Sequence, residues 1–286
     1  MSPQISGLRT RATDKRSPNL EELASRAKVI RRHIIRMIGE AGSGHPGGSL
    51  SMVEILVALF FHTLRHRPED PTWPERDRFL LSKGHGCPGL YSVLAEAGYL
   101  PVEQLTTLRK FGSPLQGHPD RRLLPILEAS TGSLGQGLSI AVGMALGARI
   151  EGRSYRTYVI IGDGESEEGQ VWEAAMFAAY HKVDNLTAIV DCNGVQLDGF
   201  TKDILDMEPL APKWKSFGWY VQEIDGHDFG QILSAFEKAS STRGRPSVII
   251  ARTVKGKGVS FMENNPGFHG KAPTQEQVEQ ALRELS

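Results

Sequence analysis

At 286 residues, 40% hydrophobic and 23% charged, the chain is long enough to bury a substantial core and ordinary in composition for a globular protein. Its 33 basic residues balance its 33 acidic ones, which argues against a general nucleic-acid or membrane-surface binder but leaves room for a local anion site. The 2 cysteines, Cys87 and Cys192, make no disulfide framework and no apolar run reaches the length of a membrane span, so a reducing cytoplasm is the expected location.

Residues 1–18 are expected to be an unstructured tail. Arg9, Arg11, Lys15 and Arg16 with the single acid Asp14 also admit a weak organelle transit peptide. Asn19 and Glu22 then read as a capping box. Behind them Leu20, Leu23, Ala27, Ile30, Ile34, Met37, Ile38 and Ala41 recur at helical spacing, and Gly42 and Gly44 end the helix. Ser51 and Glu54 read as a second box, opening a helix over Ile55 to Leu64. Residues 67–74 are irregular. A short strand is expected at Phe79 to Leu81, helices over Gly89 to Ala97 and Pro101 to Phe111, and a small-residue helix over Leu134 to Ile150.

From Tyr155 the rhythm changes. Strands over Tyr158 to Ile161, Leu186 to Val190, Trp219 to Ile224 and Ser247 to Ala251 alternate with helices over Gln170 to Tyr180 and Gln231 to Ala239. That alternation implies an α/β fold, a parallel sheet with helices on both faces. A last helix over Thr274 to Leu285 resembles an appendage. No repeat or Gly/Ser linker divides residues 19–286, which are expected to form a single domain.

The strand ending in Ile160-Ile161 runs into Gly162-Asp163-Gly164 and then a helix. Ligands of parallel sheets bind beyond the carboxyl ends of the strands, and helix N-termini favour anions. Asp163 would repel a bare phosphate, so its presence makes sense with a divalent cation between them, and Mg²⁺ commonly bridges a carboxylate to phosphates. At the end of the next strand stands Asp191-Cys192-Asn193-Gly194-Val195, 30 positions from Asp163 to Asn193. The Asn193 side-chain carbonyl and the Val195 backbone carbonyl could complete the metal's protein ligands. Each segment singly is also a common turn dipeptide. The pair at two strand ends favours the site.

Of the 9 histidines, His45, His85, His118 and His269 each adjoin a glycine, in Gly44-His45-Pro46-Gly47, Gly84-His85-Gly86, Gly117-His118-Pro119 and Phe268-His269-Gly270. A histidine so flanked suits a ligand-facing loop. Zinc is a competing reading, although no Cys or His partner lies at short spacing. His62 and His66 read as solvated. Thr131 to Gly137, TGSLGQG, is neither a dinucleotide fingerprint nor a P-loop. It could touch a ring or phosphate, or serve close helix packing. Lys255-Gly256-Lys257-Gly258 reads as a solvated turn, with a phosphate contact as the alternative.

Taken together, these segments resemble the transketolase family from about residue 20 to residue 272. The thiamine-diphosphate signature is Gly162-Asp163-Gly164 to Asn193. Ser43 to Gly47, Ser82 to Gly86, Gly117 to Pro119 and Thr131 to Gly137 narrow it to transketolase-like enzymes. The resemblance implies the thiamine-diphosphate-binding fold, with Asp163, Asn193 and the Val195 carbonyl on Mg²⁺ or Ca²⁺. Gly164 would approach the diphosphate, and His85 and His269 would sit near the diphosphate and the reacting carbons. His45 and His118 would contact substrate hydroxyls and help move protons. Gly132, Ser133 and Leu134 would line the cofactor, and Glu168 would link sites across a subunit interface. Position 133 is Ser where larger family members often have Pro.

The resemblance covers only the diphosphate-binding part of a transketolase. The implied protein is the N-terminal subunit of a split enzyme, transferring a two-carbon ketol unit from a ketose, expected to be phosphorylated, to an aldose. It would act with a partner chain carrying the pyrimidine-binding and C-terminal domains, in an α₂β₂ assembly. The alternatives are a subunit of a 2-oxo-acid dehydrogenase or of a deoxyxylulose-phosphate synthase, or a catalytically dead regulatory paralogue.

Overall fold

The computed structural model describes residues 19–286, so the expected tail lies outside the described residues. Five parallel strands carry the fold: β1 (Arg78–Leu81), β2 (Thr157–Gly162), β3 (Leu186–Cys192), β4 (Tyr220–Asp225) and β5 (Ser247–Arg252). Their spatial order is β1-β2-β3-β5-β4. The helices are α1 (Leu20–Ala41), α2 (Pro46–Leu50), α3 (Val53–Ala58), α4 (Cys87–Glu96), α5 (Gln136–Ile150), α6 (Gly169–Tyr180), α7 (Thr201–Ile204), α8 (Leu210–Ser216), α9 (Phe229–Ser241) and α10 (Gln275–Glu284).

The central strands are apolar along their length because both their faces are covered. In β2, Tyr158 and Ile160 point into a core shared with α1, α3, α4 and α9. Val159 and Ile161 point into the opposite core, under α5, α6 and α8. Ile160 is fully buried, and trimming such a side chain to alanine costs about 2–5 kcal/mol. Edge strand β4 alternates partly buried and exposed positions towards its end and carries Glu223 and Asp225.

Register sets the active edge. Gly162 lies opposite Asp191, and Cys192 opposite Arg252. The loops after β1, β2, β3 and β5 therefore leave the sheet on one side.

Several expectations need correction. Ser51 caps nothing: its hydroxyl donates to Gly48 O and to Asp191 Oδ2, while Glu54 turns to Arg31 and His227. The helix expected over Pro101 to Phe111 is only a 3₁₀ turn, Val102–Thr107. There the Thr106 and Thr107 hydroxyls donate back to the carbonyls of Glu103 and Gln104, and Arg109 turns the chain at φ 60°. Such side-chain bonds compete with regular helix. The helix begun at α3 widens into a π turn over Leu59–Thr63. Helices α2, α7 and α8 have no counterpart in the periodicity.

Candidate active site

The four glycine-flanked histidines meet. His45 is central, with ring centroids 5.2 Å from His85, 5.6 Å from His269 and 6.1 Å from His118. His85 stacks on His269 at 5.1 Å. They arrive from the turn before α2, the turn before α4, the loop after Leu115 and the loop before α10. Convergence of segments so distant in sequence supports a ligand-facing cluster over four separate surface turns.

All four imidazoles are held neutral at pH 7. Burial, then the charges of Arg109, His118 and Lys255, bring His45 down to about 4. Burial followed by Lys255 brings His269 down to about 3. Burial and Lys83 push His85 well below the ordinary imidazole value, and burial and Arg109 lower His118. His45 Nδ1 and the Thr131 hydroxyl are buried without a hydrogen-bond partner among the described residues. Buried polar atoms left this way are what a bound ligand satisfies.

Beneath the histidines lies a charged cage. Asp163 is 5% exposed and accepts backbone N–H bonds from Gly164 at 2.9 Å and Gly194 at 2.6 Å. The second bond joins the turn after β2 to the turn after β3. A side chain at Gly164 would stand 2.6 Å from Gln196 Cβ, so the two turns pack tightly. Asn193 donates its amide to Asp191 Oδ2 at 3.0 Å, and its Oδ1 accepts from Val195 N at 3.2 Å. Burial, then the neighbouring Asp191, raises the Asp163 carboxyl to about 6.

Two lysines enter the same cage, both 2% exposed. Lys83 donates to Asp191 Oδ2. Lys255 donates to Val195 O and to His269 Nδ1, both at 2.7 Å. Burial, then Lys83, lowers the Lys255 ammonium to about 7. Lys255 is thus no solvated turn, which corrects the reading of Lys255 to Gly258. Helix α2 makes this possible: a side chain at Gly47 would stand 2.9 Å from Lys255 Cγ, and one at Gly48 3.3 Å from His85 Nε2 and 3.4 Å from Lys83 Nζ.

Asp191 is a hub that motif spacing does not flag. It is fully buried and also accepts from Ser51 Oγ at 2.6 Å and Thr253 Oγ1 at 2.5 Å. Its bond to the Asn193 amide orients that side chain's oxygen away from Asp191. Lys83 and Asp191 each stand at the carboxyl end of a strand, the position that could have flagged them. His66 is likewise not solvated. Its Nε2 lies 2.6 Å from Phe60 O and its Nδ1 2.9 Å from Tyr99 OH, because the end of the π turn folds it inward. His62 is exposed.

The remaining candidates surround the cluster. Gly132 lies against the His118 ring. Ser133 is exposed and Leu134 half-buried. Buried Glu165 fastens this glycine-rich loop to β2, accepting from Gly135 N at 2.9 Å and Gly162 N at 3.0 Å. Glu168 is exposed at the start of α6, beside Gly135 and apart from the histidine contacts. An open depression of ≈ 530 Å³ adjoins His118, lined by Gln116, Asp120, Arg122 and Ser130 among others.

As a donor set, Asp163, the Asn193 oxygen and the Val195 carbonyl offer hard oxygen ligands, the kind Mg²⁺ and Ca²⁺ select. A cation beside Asp163 would relieve its buried charge, and an anion beside Lys255 would balance that ammonium, since Lys83 is already paired with Asp191. The residues therefore fit a divalent cation with a phosphate-bearing group.

Residues 23–286 match the family described as transketolase, thiamine diphosphate binding domain. The chain is 49% identical to a 6-deoxy-6-sulfo-D-fructose transketolase subunit of Clostridium sp. (strain MSTE9), over 92% of this chain and 96% of that protein. It is 47% identical to an apulose-4-phosphate transketolase subunit of Actinobacillus succinogenes, over 93% and 96%. The crystal structure of transketolase from Campylobacter jejuni superposes with a TM-score of 0.89 at 34% identity, covering 94% of this chain and 43% of that one. The chain thus spans less than half of that transketolase and nearly all of the two subunits.

Proposed function

From the premise that the chain belongs to the transketolase family, as its thiamine diphosphate binding domain, we propose that it is one of two polypeptides that together transfer a two-carbon ketol unit from a ketose to an aldose. The observation that carries this reading is geometric: four histidines from distant segments converge over a cage in which Asp163, Lys83 and Lys255 are buried together. Asp163 is a buried acid raised to about 6, and Lys255 a buried base lowered to about 7. A divalent cation and a diphosphate supply the opposite charge to each.

Thiamine diphosphate, when bound, supplies the nucleophilic carbon that holds the two-carbon fragment between donor and acceptor. Asp163, Asn193 and the Val195 carbonyl hold Mg²⁺ or Ca²⁺ in this reading. Gly164 approaches the diphosphate, whose charge Lys255 offsets, Lys83 being paired with Asp191. Gly132, Ser133 and Leu134 line the cofactor's flank. His85 and His269 face the reacting end, and neutral imidazoles there can accept a proton without first losing one. His45 and His118 take the sugar hydroxyls, and His45 Nδ1 is the unpartnered atom poised for one. Glu168, exposed at the start of α6, is free to meet a second subunit.

A separate polypeptide supplying the rest of the enzyme is supported by near-complete coverage of two relatives named as subunits. Leu197, Phe200, Ile204 and Leu205, just past Val195, are exposed apolar side chains suited to burial by that partner. An α₂β₂ assembly remains our reading of the stoichiometry. The named substrates of the two relatives carry a sulfonate and a phosphate, and a sugar with an anionic tail is proposed here. The free, buried thiols of Cys87 and Cys192 suit a reducing cytoplasm. No helix among the described residues is long and apolar enough to cross a membrane.

The test is calorimetric titration of thiamine diphosphate with Mg²⁺ into the chain, with and without its partner, followed by a ketose-to-aldose transfer assay. Metal-dependent binding lost in Asp163→Ala is expected, with transfer only when both chains are present. No binding with the partner present would move the dead-paralogue reading to the front. Release of carbon dioxide from a 2-oxo acid would favour another thiamine enzyme.

A further inference from the structure

We propose that Arg109 is a positioning residue for the pair His45 and His118, tying together the two loops that carry these imidazoles; the inference rests on the transfer reaction proposed above. Arg109 Nη1 donates to Ser43 Oγ at 2.9 Å, two residues before His45. On its other side the guanidinium lies against Gly117, immediately before His118. A Cβ there would come within 2.7 Å of Cζ and 2.8 Å of both Nε and Nη2. Glycine at 117 is what lets the planar group seat on the backbone. One guanidinium thus spans both histidine loops.

The backbone is shaped to deliver it. Arg109 adopts φ 60°, a left-handed conformation that costs a residue with a Cβ on the order of 1 kcal/mol. Its N–H donates to Leu115 O at 2.8 Å, closing the turn that returns the chain toward His118. Strain of this kind persists only where surrounding contacts enforce it.

The charge acts on the same pair. Arg109 is the largest charge contribution lowering both His45 and His118, after burial. His45 is also faced by the His118, His85 and His269 rings and by the Lys255 charge. His118 is faced by His45 and by the Gly132 backbone. Asp120, the acid nearest His118 in sequence, is bound to Arg122 at 2.7 Å. Cys87 and Tyr91, which also feel Arg109, are both pushed up by burial, Cys87 to about 12, and stay uncharged. Arg109 therefore both spaces the two imidazoles and biases them toward the neutral form that can accept a substrate proton.

Arg109→Met removes charge and fork, whereas Arg109→Lys keeps the charge and loses the fork. Two readouts separate the roles: imidazole titration by NMR in the full chain with labelled histidine, and kcat/KM against pH in the two-chain complex with thiamine diphosphate and Mg²⁺. In Arg109→Met, His45 and His118 should titrate at higher pH than in the wild type, and the acid limb of kcat/KM should move up with them. Its kcat/KM at neutral pH should fall roughly ten- to hundredfold, as for a misplaced catalytic group, while cofactor affinity holds. Arg109→Lys should keep the wild-type titrations and still lose rate, and it remains the decisive variant should Arg109→Met not fold. Unchanged titrations in Arg109→Met, or full wild-type rate in Arg109→Lys, would overturn the proposal. A wild-type complex without transfer activity would instead sink the functional reading, and the imidazole titrations would still decide whether Arg109 governs the pair.

Discussion

At the scale of single residues, the cage is built against its own stability. The Asp163 carboxyl stands at about 6 in the fold against 3.8 for the free group. Because the folded value is raised, the folded state binds more protons than the unfolded one between these values, and stability falls as pH rises through about 6. The ceiling on the loss is about 3 kcal/mol for two pKa units. Asp163→Asn is neutral at every pH. We expect the cofactor-free variant to melt higher than the wild type at pH 7.5, by the equivalent of about 1–2 kcal/mol, since the amide keeps only part of the backbone hydrogen bonding. At pH 4 the advantage should vanish. Thermal melts across that range decide it; a variant no more stable than wild type at pH 7.5 would mean the carboxylate is not held at a cost. Individual candidates are legible unevenly. His45, His85, His118 and His269 stand out through their small neighbours. Lys255 does not, because two lysines among glycines look like a surface turn until α2 is seen to cover one of them.

At the scale of elements, one buried network braces the cage from behind. Arg31 of α1 forms two bonds to Glu54 of α3, at 2.6 and 2.7 Å. Glu54 also meets His227 Nδ1 at 3.0 Å, and His227 Nε2 accepts from Val254 N at 2.9 Å. The Val254 bond fixes the tautomer, with the imidazole proton on Nδ1 facing Glu54. Although burial opposes it, His227 and Arg31 together hold the Glu54 carboxyl down at about 2. The network thus joins α1, α3, the turn after β4 and the segment leading to Lys255. Removing one partner strands a buried charge, so Glu54→Ala should cost about 3–5 kcal/mol, read as a lower urea midpoint at unchanged slope. A loss below about 1 kcal/mol, the range of exposed pairs, would show the network to be solvated. All five strands are legible within a residue or two, the central ones because burial on both faces writes continuous apolar runs. The stretch over Pro101 to Phe111 misleads because threonine hydroxyls compete with the helix, a contest that periodicity does not register.

At the scale of the whole molecule, a ligand that binds only the folded state stabilises it by mass action. Thiamine diphosphate with Mg²⁺, at about 100-fold above its Kd, should add about 2.7 kcal/mol. A melting scan should show this rise, lose it on chelation of the metal, and show no rise in Asp163→Ala. A melting temperature indifferent to chelation would remove the metal from the reading. The same carboxyl edge of the sheet leaves Leu197, Phe200, Ile204 and Leu205 exposed, the surface proposed above to meet a partner chain.

What the sequence determined alone was local and periodic. Apolar runs of strand length separated by amphipathic helices specify a parallel sheet, since each pattern has one way to bury its face. The two turns at Gly162-Asp163-Gly164 and Asn193-Gly194 lie at strand ends for the same reason. Only the tertiary structure decided which charges share the cage. Lys83, Asp191 and Lys255 lie after β1, at the end of β3 and after β5, and the register of those strands with α2 laid across them brings Lys83 onto Asp191 and Lys255 onto the Val195 carbonyl. Contacts among residues far apart in the chain depend on register and packing, which hydrophobic spacing along one segment does not encode.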